Sequence, residues 1–100
     1  MAITQEQIDA WKEEHGSIFK TTPIKDIDII YKPLDRGGYM DIMSKQMEGE
    51  IGDPELETVK LCVLNDLPEG IFTDRGGLAT VIYEEIMKTS GFTVVESEEL

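Results

Sequence analysis

Hydrophobic and polar positions change period several times along this chain, and each change marks an element. From Ile3 to Gly16 the less polar positions Ile8, Trp11 and His15 recur at i, i+3 and i+7, while Glu6, Asp9, Glu13 and Glu14 fall largely off that stripe. The spacing predicts an amphipathic helix. Thr4 followed three residues later by Gln7 is a capping box, and Ile3 with Ile8 matches a hydrophobic staple. Gly16 suits a stop with positive φ.

From Ser17 to Leu34 the period shortens. SIFKTT and DIDIIYKPL are rich in Ile, Thr, Phe and Tyr, and Ile27, Ile29 and Tyr31 alternate. Thr22-Pro23-Ile24-Lys25-Asp26 supplies a turn, so the pair reads as a β-hairpin with Ile27, Ile29 and Tyr31 as its inner row. Pro33 closes the second strand because it has no N–H to give to a ladder.

A helical period then returns. Asp35 is a candidate N-cap, and Tyr39, Met40, Met43 and Met47 predict an apolar helix face. Gly37-Gly38 weakens its first turn by about 1 kcal/mol per glycine against alanine, which places the helix start at Gly38 or Tyr39. Residues 49–54 read as a loop.

The stretch Asp53–Phe92 predicts two more helices. Asp53 as N-cap and Pro54 at the first helical position open the first of them. Leu56, Val59, Cys62 and Val63, widened by Leu61 and Leu64, make its apolar face, and Leu67-Pro68-Glu69-Gly70 breaks it. The second has a start signal at Asp74, a face of Leu78, Val81, Ile82 and Ile86, and a stop at Ser90-Gly91-Phe92, where Phe92 can pack on Met87. Asp-Arg-Gly-Gly occurs at 35–38 and again at 74–77, and both copies read as leads into a helix. The expected fold class is α+β: an N-terminal helix, a β-hairpin, then three helices packed on it. Residues 1–92 form a single domain and 93–100 a short acidic tail.

Composition narrows what such a domain does. One hundred residues make one domain with little stability to spare. The formal net charge is −12, with ten acids and six bases in residues 1–50 and eleven acids and three bases in residues 51–100. That field argues against a nucleic-acid partner, whose binding needs clustered Lys and Arg. It fits a solvated surface, a complement to a basic partner, or a mimic of DNA, although no regular carboxylate spacing copies a phosphate ladder. No apolar run approaches the length of a membrane span. The opening MAITQEQ has neither signal- nor transit-peptide character. The single cysteine, Cys62, excludes an internal disulfide and suits a reducing compartment.

Candidate chemistry is sparse. His15 is the only histidine and lies at a helix C-terminus, without the nucleophile and orienting group a catalytic base needs. Cys62 falls on an apolar helix face. Asp26/Asp28 and Asp53/Glu55/Glu57 lack the ligand spacing of a calcium loop. Arg75-Gly76-Gly77 lacks the rest of a phosphate loop. No catalytic residue, cofactor or metal site is therefore expected. Met40, Met43, Met47 and Met87 read as core filling, with an adaptable binding surface as the alternative. Phe92, Val94 and Val95, apolar residues beside the acidic tail, are the expected partner-binding residues.

The order of landmarks resembles a family of small tailed-bacteriophage proteins, the tail assembly chaperone-like proteins. The shared landmarks are a capped N-terminal helix ending WKEEHG, then SIFKTT, IIYKPLDRGGYMDIM, DPELETVKLCVL and GLATVIYEEIMKTSGF, and the resemblance spans roughly residues 8–92. The resemblance implies a non-enzymatic assembly protein that binds phage structural proteins, the tape measure or the tail tube, in the cytoplasm of an infected bacterium. A structural virion protein of the baseplate or head is the alternative, and an acidic inhibitor of a host nucleic-acid enzyme is a third. Neither nucleic acid nor membrane is an expected partner, and homo-oligomerisation is left open.

Overall fold

In the computed structural model, which describes residues 3–92 and 97–100, the chain forms α1 (Gln5–His15), β1 (Phe19–Ile24), β2 (Ile27–Tyr31), α2 (Arg36–Met47), α3 (Pro54–Cys62), α4 (Ile71–Asp74) and α5 (Leu78–Thr89). The fold is α+β: a helix, an antiparallel hairpin, and three further long helices, with the single-turn α4 set between the last two.

Local signals decide the ends of most elements. Thr4 and Gln7 close the capping box at the start of α1, and Gly16 ends it with φ 80°. Ile8, Trp11 and His15 are the half-buried positions of α1, yet none of its residues is fully buried. At the far end of the molecule, Gly91 takes φ 86° and Phe92 donates its N–H to the Met87 carbonyl at 2.8 Å. Gly91 donates in turn to Lys88 at 3.3 Å, which completes the Schellman stop expected at Ser90-Gly91-Phe92.

The hairpin turn is tighter than the sequence implies. Ile24 pairs with Ile27, so the loop is only Lys25-Asp26, and Asp26 takes a positive φ of 68°, a conformation that Asp adopts more readily than most residues. Thr22 and Pro23 remain in β1, inside an irregularity between Thr21 and Ile24. Pro23 cannot donate to the ladder, and a bulge on an edge strand absorbs that loss.

β2 is the centre of the molecule. Its second edge carries the segment that leaves α3: the N–H of Leu64 donates to the Ile30 carbonyl at 2.8 Å and that of Lys32 to the Cys62 carbonyl at 3.0 Å. Tyr31 and Val63 form an antiparallel bridge. The Asn65 amide clasps the strand, accepting from Ile30 N–H at 2.8 Å and donating to the Asp28 carbonyl at 2.9 Å. This pairing explains why α3 stops at Cys62 while the apolar sequence runs on through Leu64: Val63 is already extended, with φ −73° and ψ 129°. It also explains why Ile29, Ile30 and Tyr31 are all buried instead of alternating. The expected inner row still holds in part, since Ile29 and Tyr31 join the core and Ile27 packs against it.

The core brings together Ile29, Tyr31, Leu34, Ile42, Val59, Cys62, Ile71, Leu78, Ile82 and Ile86. α5 supplies three of these from one face, and its C-terminal turn is tied to the hairpin side by two hydroxyls. Tyr31 Oη and Thr89 Oγ1 share a 2.8 Å hydrogen bond, and Ser90 Oγ accepts from Leu34 N–H at 2.7 Å. Each fully buried isoleucine contributes about 1.5–3 kcal/mol relative to exposure.

Four sequence expectations are corrected here. α2 starts at Arg36, because Asp35 accepts the Gly38 N–H at 2.7 Å and so begins the helix before both glycines. The core residue of α2 is Ile42, whereas Met40, Met43 and Met47 face solvent. Leu61 and Val81 are exposed, as α3 and α5 bury narrower stripes than their apolar content suggests. Asp74 does not open α5. It is the last residue of α4, and α5 begins at Leu78 after Gly77, with no side-chain cap.

Candidate functional site

Two surface features gather the residues with chemical interest. The first is an open groove of about 530 Å³ between the end of α1, the β2–α2 connection and the end of α3. Glu14, His15, Ser17, Lys32, Asp35 and Cys62 are among the residues that line it. His15 Nε2 lies 3.6 Å from Glu14 Oε2. The Cys62 thiol is pushed up to about 11, chiefly by burial, with Lys32 opposing and the Asp35 carboxylate adding to the rise. A thiol held there is essentially all protonated near neutral pH and is a poor nucleophile. The groove alternates bases and acids, so it offers no concentrated charge to a ligand.

Three of the five acids singled out from the sequence have structural partners. Asp53 caps α3 by accepting the Leu56 N–H at 3.1 Å, Glu55 accepts the Thr80 hydroxyl at 2.8 Å across to α5, and Asp28 accepts the Thr22 hydroxyl across the hairpin. Among the described residues no three His, Cys, Asp or Glu side chains converge as metal ligands do. No described helix is long and apolar enough to cross a membrane.

The second feature is a ridge on α2. Ile42 and Gly38, four residues apart, turn inward, and the opposite face carries Met40, Met43 and Met47, exposed at 50%, 36% and 85%. Helical geometry puts Arg36 at the head of the same row, and its guanidinium lies over the Tyr39 ring at 5.4 Å from the centroid. Tyr39, half-buried on the flank, stacks on Phe92 with ring centroids 4.8 Å apart. The ridge is thus continuous with the end of α5 through an aromatic step. Of the expected partner-binding residues, Phe92 belongs to this feature, while Val94 and Val95 lie outside the described residues.

Sequence periodicity alone left a binding surface as the alternative to core filling, because Tyr39, Met40, Met43 and Met47 share a helical spacing that also suits a buried face. One signal did distinguish the faces. Arg36 lies in register with the methionines, and a buried stripe rarely begins with a guanidinium, whereas Gly38 and Ile42 make a small, close-packing pair. Charge is uneven on the side of α2 away from the ridge, since Lys45 lies about 160° around the helix from Met43 and Met47. Lys45 is paired with Asp41 at 3.1 Å, and its ammonium is held above the usual lysine range first by that carboxylate, with Glu50 and Glu57 adding to the effect. Three acids therefore act on one base beside the end of α2.

Comparison with known proteins adds no relative: no family model, no curated protein and no solved structure matches this chain.

Proposed function

We propose that this protein is non-enzymatic and works through contacts with other proteins, as a tail assembly chaperone-like phage protein that holds a tail component, the tape measure or a tail-tube subunit, before the tail polymerises. The observation that carries the contact-based reading is the methionine ridge. A 100-residue domain with so small a core leaves three long apolar side chains on one solvent-facing helix row. Methionine is flexible and polarizable, so a surface built from it adapts to more than one apolar partner. The phage assignment is supported by the landmark order WKEEHG, SIFKTT, YKPLDRGGY, VKLCVL and SGF. The protonated Cys62 thiol and the mixed charge of the groove are in keeping with a protein that performs no covalent chemistry.

The reading places the protein in the cytoplasm of an infected bacterium, with its acidic surface keeping partner complexes dispersed. Co-purification from infected cells tests it. The expected result is recovery of a tail structural protein, together with absence from purified virions. Stoichiometric copies in virions would instead make it a baseplate or head component, and recovery of a host nuclease or polymerase would make it an inhibitor.

A further inference from the structure

We propose that the α2 ridge of Met40, Met43 and Met47, with Tyr39 and Phe92 at its side, docks the apolar face of a basic amphipathic helix in a partner protein. The inference rests on the contact-based reading above and adds the chemistry of the partner. From Met40 to Met47 the ridge rises about 10 Å along the α2 axis, the length of about two turns of a facing helix. Such a helix presents residues at i, i+3, i+4 and i+7 to a surface of this kind.

Charge selects the sign of the partner. Both cations of α2 are already engaged, Arg36 over the Tyr39 ring and Lys45 on Asp41. Among the described residues Glu48, which follows Met47 directly, and Glu50, two residues further on, form no ion pair. Lysines or arginines flanking the partner's apolar face would complete these carboxylates. An acidic helix would meet like charge on a molecule of net charge −12.

Area and charge also argue against a second copy of this chain as the occupant. Three methionines at these exposures make a patch of the few hundred Å² seen on ordinary monomers. A stable dimer takes about 800 Å² per partner. Two copies would in addition bring two strongly acidic surfaces together.

Three labelled peptides test the assignment: a leucine–lysine sequence patterned as an amphipathic helix, its leucine–glutamate counterpart, and a scrambled leucine–lysine sequence. Fluorescence anisotropy with the full chain should show saturable binding of the patterned basic peptide, and binding at least about tenfold weaker for the other two. In methionine methyl NMR spectra, the Met40, Met43 and Met47 signals should shift on binding while Met87 stays in place. The combined variant Met40→Gln, Met43→Gln and Met47→Gln should keep its melting temperature and lose at least about tenfold in affinity. Replacing the same residues with leucine should retain binding. Equal binding of the acidic peptide, or unchanged binding by the glutamine variant, overturns the inference, as does a dimer in sedimentation that the glutamine variant abolishes. If the partner recovered from infected cells binds the glutamine variant as well as the wild type, this docking site fails while the contact-based function stands. If virions contain stoichiometric copies and the basic peptide still binds through the methionines, the site stands and the chaperone reading fails.

Discussion

The tetrapeptide Asp-Arg-Gly-Gly is present twice, at 35–38 and 74–77, and the two copies do opposite jobs. In the first, Asp35 leaves β2 with extended dihedrals, φ −84° and ψ 172°, and its carboxylate caps α2. Gly37 and Gly38 then sit inside the helix. In the second, Gly70 with φ 77° has already started α4, and Asp74 donates its N–H to the Gly70 carbonyl at 2.9 Å. Asp74 is helical before it could cap anything, and its two glycines serve as the connection into α5. What precedes the motif decides its use: Leu34, whose N–H is held by Ser90 Oγ, leads into an extended Asp35, while the turn at Gly70 places Asp74 at the end of a helical turn. The glycines differ for a tertiary reason. A Cβ on Gly38 would stand 3.0 Å from Leu34 Cδ1 and 3.3 Å from Leu61 Cδ2, whereas a Cβ on Gly77 meets nothing within 4 Å.

That contrast can be broken most forcefully at Gly38. Leu34 is buried and has little room to retreat, so Gly38→Val should cost about 2 kcal/mol through overpacking, read as a lower urea midpoint. The cap comes next. Asp35→Ala should cost about 1 kcal/mol, while Asp74→Ala should stay within about 0.5 kcal/mol. Equal losses at the two aspartates would show that both copies cap helices. Gly77→Ala should go the other way and stabilise by about 0.5 kcal/mol, because φ −90° suits alanine and the unfolded chain loses freedom. A melting temperature that falls for this variant would mean the second copy needs its glycine as the first does.

The smallest expected effect uses Cys62 as a reporter. Burial dominates the rise of its thiol to about 11 and the Asp35 carboxylate adds to it, so Asp35→Ala should lower the thiol titration slightly and Asp74→Ala should leave it where it is. Absorbance of the thiolate during an alkaline titration measures this. Because the folded thiol lies above its ordinary value of 9.0, the unfolded chain releases that proton first as pH rises. The stability associated with the protonated thiol is therefore complete below about pH 9 and is lost progressively towards pH 11.

Sequence by itself determined the features that depend on neighbours a few residues away. The capping box of Thr4 and Gln7, the Asp53-Pro54 start, the Gly91 stop and the α+β order of elements follow from short-range hydrogen bonding, backbone freedom and hydrophobic period. Tertiary structure alone decided where period was ambiguous or a distant partner intervened. Val63 to Asn65 left the helix because β2 had an open edge whose N–H and C=O groups needed partners. Ile42 won the inward position over three methionines because Gly38 lets that side of α2 approach Leu34 and Leu61 closely. The methionine ridge is the surface left over from that choice. Helical spacing can say which residues share a face, but only the packing of α2 on its neighbours determines which face meets water.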